Sequence, residues 1–136
     1  MKYFIDTSII IDLLSNKEEA KEKIKGLIRK EDSELFINRL VLTEALRTMD
    51  FNASKKFIQA EEKLELFQKL EIKPEIYTQA ISFSRFCKSK GVQIKGKCAS
   101  IDFLHFMTAK YYKLEIITND QDFDKLEKAY TDFNAK

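Results

Sequence analysis

Four carboxylate side chains stand at the ends of predicted strands or near the starts of predicted helices, where an alternating α/β fold can bind ligands. They are Asp6, Glu44, Asp102 and Asp120. Asp6 and Asp120 each follow a hydrophobic stretch that is predicted to be a strand, and each precedes a predicted helix. Glu44 and Asp102 fall early in helices that follow a strand and a loop. Because ligands of an open parallel sheet bind beyond the carboxyl ends of its strands, we expect all four acids to face one crevice.

A crevice with four acids predicts a divalent metal site. At a separation of about 4 Å and an effective dielectric constant near 20, two carboxylates repel each other by roughly 4 kcal/mol, so a cluster needs cations. Carboxylate oxygens favour Mg²⁺ or Mn²⁺. Two such ions would polarise a phosphodiester, lower the pKa of a water molecule and stabilise the leaving oxygen. The predicted chemistry is that of a nuclease.

The other candidate ligands argue against zinc. Cys87 and Cys98 are too far apart for a Cys-x-x-Cys motif, and His105 is the one histidine of the sequence. We expect both cysteines to be reduced thiols, partly buried in a cytoplasmic domain. His105 lies three residues after Asp102, on a similar helix face, where we expect it to pack and to form hydrogen bonds. A role as catalytic base is the alternative.

Predicted strands and helices alternate along the chain. Strands are predicted at Lys2–Asp6, Glu34–Asn38 and Leu114–Thr118, with a further one near Ala129–Phe133. Helices are predicted at Ile9–Leu14 with Thr7 or Ser8 as the cap, Glu18–Lys30, Leu40–Met49, Ser54–Leu70, Pro74–Lys90, Ser100–Tyr112 with Ser100 as the cap, and from Asp122. Parallel strands need crossover connections, so this alternation predicts a mainly parallel sheet with helices on its faces.

The composition is that of one ordinary globular domain. The chain has 136 residues, 44% of them hydrophobic, so we expect a single domain over residues 1–136. Once the four acids are set aside, the 24 Lys and Arg outnumber the other acidic residues, which suits a polyanionic partner. No apolar run is long enough to cross a membrane, and the N-terminus lacks the pattern of a signal peptide, so we expect a cytoplasmic protein.

The acids fall in four ordered motifs, and together these resemble the PIN-domain family over the whole chain. The motifs are Asp6-Thr7-Ser8, Thr43-Glu44, Asp102 to Ala109 with His105 and Thr108-Ala109, and Thr118 to Phe123. In that family an Asp after the first strand is followed by Thr and a small polar residue, and a Glu begins the second region. The third region ends in Thr-Ala, and the fourth reads Thr-x-Asp-x-Asp-Phe. The likeness is strongest to short ribonucleases that act as VapC toxins of toxin–antitoxin pairs.

The resemblance implies a three-layer α/β/α sandwich with a mainly parallel central sheet, and cleavage of RNA that depends on Mg²⁺ or Mn²⁺. It also implies a homodimer and an antitoxin partner whose C-terminal segment blocks the site. By the same likeness the metal ligands are Asp6, Glu44, Asp102 and Asp120, with Asp122 as a fifth acid. Ser8 and Thr118 would hydrogen-bond these carboxylates and so orient them, although a turn or capping role fits both equally well.

Positive side chains close to the acids in sequence are candidates for contact with RNA phosphates. Lys95 and Lys97 flank Gly96 in the loop before the helix of Asp102, and Arg47 follows Glu44 on its helix. Such contacts would make binding dependent on salt. An ordinary solvated loop is the alternative for the two lysines.

Two apolar features of the sequence concern packing. The positions Phe57, Ile58, Leu64, Phe67 and Leu70 recur at helical spacing and predict a core stripe, with room for a groove that takes an antitoxin helix. Phe106 and Met107 stand where many members of the family have small residues, so we expect that helix to pack differently.

Two other functions compete with the nuclease. Phosphoaspartyl hydrolases also place an Asp at the end of the first strand, but they need a second Asp two residues later, where this chain has Ser8. A PIN-like module that binds RNA or protein without catalysis is the non-enzymatic alternative. The presence of all four acids argues against such a module.

Overall fold

A computed structural model describes residues 1–95 and 99–135 of the chain. The strands of this part are β1 (Lys2–Ile5), β2 (Glu34–Asn38), β3 (Gln68–Leu70) and β4 (Glu115–Ile117). The helices are α1 (Thr7–Leu14), α2 (Glu18–Ile28), α3 (Arg39–Leu46), α4 (Ser54–Leu64), α5 (Pro74–Ser89), α6 (Ala99–Tyr111) and α7 (Asp122–Asn134). The predicted α/β fold class is confirmed, because the four strands form one sheet in which every pairing is parallel.

The described residues form two compact units. The first comprises Met1–Glu71 and Leu114–Asn119, and the second comprises Ile72–Lys113 and Asp120–Lys136. The first unit therefore contains the whole sheet with α1 to α4, and the second contains α5 to α7. A single domain over residues 1–136 stays a prediction.

The sheet of the first unit has the order β3-β2-β1-β4. In its register Phe4 of β1 pairs with Phe36 of β2 and with Ile116 of β4. Both Phe4 and Ile5 are fully buried, as expected for a parallel strand that is covered on both faces. An apolar run of this kind ends abruptly at Asp6, so the first candidate acid stands directly at the carboxyl end of a central strand.

Strand β3 corrects the prediction of a helix that continues to Leu70. Helix α4 ends at Leu64, and Gln68–Leu70 pairs with β2 at the edge of the sheet. Periodicity does not distinguish a short apolar run in a strand from the end of a helix, which explains the error. The predicted core stripe is also only partly correct, because Leu64 and Phe67 are buried but Ile58 is exposed.

Phe83 of α5 forms the centre of an aromatic cluster in the second unit. Its ring lies 5.6 Å from that of Phe103, 5.3 Å from Phe106, 5.6 Å from Tyr130 and 5.2 Å from Phe133. Edge-to-face and offset contacts at these distances add stability beyond the area they bury. Phe106 and Met107, where different packing was expected, are both buried in α6, and Phe106 belongs to this cluster.

Three local predictions in the second unit have clear outcomes. The strand near Ala129–Phe133 is wrong, because these residues lie in α7, where Leu126 and Ala129 are buried at helical spacing. Ser100 is not a cap, since α6 already includes Ala99. Pro74 opens α5, as predicted, and Gly91 follows the end of this helix with a φ of 72°.

Two further observations concern the described residues as a whole. None of their helices has the length and apolar character needed to cross a membrane.

Cys87 is a free, buried cysteine of α5, and burial raises the pKa of its thiol because the charged thiolate is poorly solvated there.

Candidate functional site

The backbone of Asp6 joins β1 to α1. Its N–H donates a hydrogen bond of 2.9 Å to the carbonyl oxygen of Ile117, which continues the pairing of β1 with β4. Its own carbonyl oxygen accepts from the N–H groups of Ile9 and Ile10, at 3.1 and 3.3 Å. Asp6 is the N-cap residue of α1, which corrects the predicted cap at Thr7 or Ser8. The backbone at Asp6 is therefore fixed from both sides.

The carboxylate of Asp6 is held by two hydroxyl groups. Thr118 donates to Oδ2 at 2.7 Å, and Ser8 donates to the same oxygen at 3.2 Å. Ser8 Oγ in turn accepts from the backbone N–H of Asn119, at 3.2 Å. Asp6 is only 4% exposed, so these bonds determine its orientation in a confined space. Ser8 and Thr118 thus contact the acid that they were predicted to orient.

Glu44 receives a hydrogen bond from a residue that the sequence analysis considered only as a helix cap. The hydroxyl of Thr7 donates to Oε1 of Glu44 at 2.6 Å, and Thr7 is buried. Helix α1 packs on α3, which brings the two side chains together. The start of α3 is set by Asn38, the last residue of β2, whose Oδ1 accepts the N–H of Val41 at 2.9 Å. Glu44 is therefore positioned by both its own helix and α1.

Asn119 is a second residue whose part the sequence analysis missed. Besides binding Ser8 through its backbone, it donates from Nδ2 to Asp12 at 3.1 Å and accepts from Lys23 Nζ at 3.2 Å. Asn119 thereby ties the end of β4 to α1 and α2. The available signal was its place in Thr118-Asn119-Asp120, directly between two residues already singled out.

Asp120 and Asp122 are linked within the second unit. Asp120 Oδ1 accepts the backbone N–H of Asp122 at 2.9 Å, an arrangement that supports the first turn of α7. Asp122 is 8% exposed, and its Oδ2 accepts the backbone N–H of Lys95 at 2.9 Å. Its Oδ1 lies 3.4 Å from Nζ of Lys125. Both oxygens of Asp122 thus have partners from the protein itself.

Asp102 lies in the first turn of α6 and is partly buried. Three residues later His105 is buried, which agrees with the expected packing role, and Thr108 donates to the carbonyl oxygen of Leu104 at 2.6 Å. Lys95 and Arg47 are both exposed. Lys97, the other predicted RNA contact, lies outside the described residues.

The structure brings the predicted site residues into two groups, one in each unit. The first group contains Asp6, Ser8 and Thr118, and the second contains Asp120, Asp122 and Lys95. Glu44 lies in the first unit, where its bond is to Thr7, and Asp102 lies in the second unit. Among residues 1–95 and 99–135, no group of three or more His, Cys, Asp or Glu side chains is arranged to hold a metal ion. The proposal that these acids bind a metal ion therefore rests on the chemistry of the donor atoms.

That donor chemistry fits a hard divalent cation. Carboxylate oxygens are the preferred ligands of Mg²⁺ and Mn²⁺, and the candidate ligands are carboxylates only. Both hydroxyl bonds of Asp6 end on Oδ2, so Oδ1 is the oxygen that a cation would approach.

Comparison with known proteins identifies the family. The PIN domain family model matches residues 3–129, so the chain belongs to the PIN domain family. The search of curated proteins finds no match.

Solved structures show the same fold. VapBC2 from Rickettsia felis, bound to a DNA fragment from its promoter, has a TM-score of 0.75 at 16% identity, over 92% of each chain. VapBC-1 from nontypeable Haemophilus influenzae has a TM-score of 0.72 at 21% identity, over 97% of this chain and 94% of that one. A toxin–antitoxin complex from Klebsiella pneumoniae has a TM-score of 0.69 at 22% identity, over 89% of each chain. At such identities the likeness shows the fold alone.

Proposed function

We propose that the protein is a metal-dependent endoribonuclease and the toxin of a type II toxin–antitoxin pair. The observation that carries the proposal is the buried carboxylate of Asp6, which ends a central strand and is oriented by Thr118 and Ser8. Burial of a carboxylate at the end of a strand costs stability unless other groups compensate its charge. A bound metal ion would compensate that charge. Membership of the PIN domain family supports the same reading.

Four acids would hold Mg²⁺ or Mn²⁺ in this proposal, namely Asp6, Glu44, Asp102 and Asp120. When bound, such ions lower the pKa of water and stabilise the charge that develops on a phosphodiester. The chain's own contribution is to orient the acids. Thr118 and Ser8 hold Asp6, and Thr7 holds Glu44. Hydrogen bonds of this kind keep a carboxylate in the geometry that its ion requires.

Asp122 has a different part in the proposal. Because its two oxygens already bind the Lys95 backbone and Lys125, we assign it to positioning rather than to direct metal binding. Through this bond Asp122 fixes Lys95, the last described residue before the segment that leads to α6 and Asp102. Lys95, Lys97 and Arg47 would contact RNA phosphates, which predicts binding that weakens as salt rises.

An antitoxin partner is supported by a groove in the first unit. Its volume is about 540 Å³, it lies between α3 and α4, and its apolar lining residues are Leu46, Met49, Phe51, Phe57 and Ile58. Phe51 is 95% exposed and Ile58 55%. Such a groove suits the apolar face of an amphipathic helix, the mode in which many peptides bind. Arg47 also lines it, so contact with an antitoxin carboxylate competes with its proposed contact with RNA.

The proposal includes a homodimer that acts in the cytoplasm, where its RNA substrate is found. The competing function is a PIN-like module that binds RNA or protein without cleaving RNA. The two functions differ in one measurable property, which is whether the protein catalyses the cleavage of RNA.

Incubation of the purified protein with mixed RNA tests the proposal. We expect cleavage with Mg²⁺ or Mn²⁺ and none with EDTA. Addition of Mn²⁺ at about 100 times its dissociation constant should also stabilise the protein by roughly 2.7 kcal/mol, seen as a higher melting temperature. Cleavage that survives EDTA would contradict the metal mechanism, and binding of RNA without any cleavage would favour the silent module.

A further inference from the structure

Asn119 follows the end of β4 and contacts helix α1 at two points. Its backbone N–H donates to Ser8 Oγ at 3.2 Å, and its side-chain Nδ2 donates to Asp12 Oδ2 at 3.1 Å. Ser8 and Asp12 are four residues apart, so they lie on the same face of α1, one turn from each other. Two bonds to successive turns hold the helix more firmly against β4 than either bond could alone.

The side chain at position 119 has to donate and accept at once. Nδ2 meets the carboxylate of Asp12, which only accepts, and Oδ1 accepts from Nζ of Lys23 on α2 at 3.2 Å. The other oxygen of Asp12 lies 3.2 Å from Nζ of Lys17, so Asp12 is itself held in place. An amide satisfies both neighbours, whereas a carboxylate would repel Asp12 and an ammonium would repel Lys23.

Helix α1 carries the hydroxyl groups that orient two acids of the first unit. Ser8 donates to Asp6 at 3.2 Å, and Thr7 donates to Glu44 at 2.6 Å. Because Ser8 Oγ accepts the N–H of Asn119, its own proton is left for Asp6. A shift of α1 would therefore disturb both carboxylates together.

We infer that Asn119 is a positioning residue for the carboxylates of Asp6 and Glu44, and that it acts by clamping α1 through Asp12. The inference rests on the proposed function, in which these carboxylates bind Mg²⁺ or Mn²⁺. A turn after β4 would need only the backbone of Asn119. Its side chain instead bonds to both α1 and α2.

Isothermal titration of the full chain with Mn²⁺ tests the inference. Asn119→Ala removes the side-chain bonds and keeps the backbone N–H, and Asn119 is not among the residues with a positive φ, so alanine fits its backbone. We expect the affinity for Mn²⁺ to fall about 10-fold, the lower end of the loss for an orienting group. Because Asn119 is exposed, the melting temperature in EDTA should change by less than about 4 °C. Asn52→Ala, at another exposed asparagine of the first unit, should change neither quantity.

Amide hydrogen exchange tests the clamp without metal. In Asp12→Ala the side chain of Asn119 loses its acceptor, while the N–H of Asn119 that binds Ser8 is still present. Exchange of this N–H in EDTA should quicken by about 5-fold, because α1 is held at one point fewer. Glu22→Ala is the matched control, since Glu22 is an exposed acid that lines the same groove between α1 and α2 as Asp12.

A double substitution tests the route through Asp12. In the Asp12→Ala background, Asn119→Ala should lower the affinity for Mn²⁺ by less than about 2-fold further, because the amide acts through that carboxylate. The loss of the Asp12 charge is common to both proteins and cancels in the comparison. Two effects that multiply independently would overturn the clamp.

The outcomes distinguish the inference from the proposed function. A wild-type chain that binds no Mn²⁺ overturns the metal site and with it the inference. Wild-type binding that Asn119→Ala leaves unchanged overturns the inference alone, as does unchanged exchange at Asn119 in Asp12→Ala. A loss of affinity that is accompanied by a large fall in the melting temperature in EDTA would make Asn119 an ordinary structural residue, and this result also overturns the inference.

Discussion

The hydroxyl of Thr118 donates a hydrogen bond of 2.7 Å to Oδ2 of Asp6, across 112 positions of the sequence. Each residue directly follows a strand, Asp6 after β1 and Thr118 after β4, and these strands are neighbours in the sheet. Parallel pairing aligns their carboxyl ends. The contact therefore follows from the register of two strands, and it links the first and last motifs of the chain.

Replacing Thr118 with Val removes the hydroxyl and keeps the branched shape. We expect affinity for Mn²⁺ to fall by about 10- to 100-fold, as for other groups that orient a ligand, because Asp6 loses its shorter hydrogen bond. Isothermal titration measures the affinity, and Thr118→Ser should restore it. The control is Thr131→Val at an exposed position of α7, where the hydroxyl binds the helix carbonyl of Glu127. Equal affinity in Thr118→Val and wild type would count against the proposed part of Asp6.

Thr7→Val tests the contact with Glu44. Loss of the 2.6 Å hydrogen bond should slow RNA cleavage by about 10- to 100-fold. The matched control is Thr43→Val, which stands beside Glu44 but is exposed and binds the carbonyl of Arg39.

A double-mutant cycle makes the test of Thr7 specific. In a Glu44→Ala background, Thr7→Val should have little further effect on the cleavage rate, because the hydroxyl acts through that carboxylate. If the two substitutions add independently, Thr7 acts in some other way.

Asp122→Ala tests the positioning part assigned to Asp122. The N–H of Lys95 loses a part-buried hydrogen bond to a charged acceptor, so we expect the free energy of unfolding to fall by about 1–3 kcal/mol. Amide hydrogen exchange at Lys95 should quicken at the same time. Asp124→Ala, an exposed acid two residues along α7, should change neither quantity. Unchanged exchange at Lys95 would show that the segment is held by other contacts.

Substitutions at two phenylalanines, one buried and one exposed, test stability and partner binding separately. Phe83→Ala opens a cavity in the aromatic cluster and should cost about 3–5 kcal/mol of stability in a denaturant titration. Phe51 is 95% exposed, so Phe51→Ala should change stability by less than about 0.5 kcal/mol while weakening the binding of an antitoxin C-terminal segment. An antitoxin segment that binds Phe51→Ala as tightly as wild type would contradict the α3–α4 groove.

The fold class could be predicted from the sequence because the strong signals are local. The run Tyr3-Phe4-Ile5 before Asp6 and the proline that opens α5 are recognisable without knowledge of the fold. Strand β3 was missed because its three residues are stabilised by pairing with β2, a contact that periodicity does not report. The predicted strand at Ala129–Phe133 is wrong, because this stretch lies in α7 and its aromatic side chains pack in the aromatic cluster.

The candidate site could be predicted only in part. Asp6, Ser8 and Thr118 stand together because each lies at a strand end or the helix start next to it, a position that the sequence reveals. The contact of Thr7 with Glu44 depends on the packing of α1 on α3, and the contact of Asp122 with Lys95 depends on the path of a loop. Neither is encoded in spacing along the chain.

Cleavage of RNA by Asp6→Asn tests the central claim most directly. The substitution removes the charge and keeps the size of the side chain, so Ser8 and Thr118 retain an acceptor. With Mn²⁺ present, we predict a cleavage rate at least about 100-fold below wild type, the loss of several kcal/mol of transition-state stabilisation, with an unchanged melting temperature in EDTA. Asp124→Asn should cleave at the wild-type rate. Cleavage by Asp6→Asn at the wild-type rate would contradict the account.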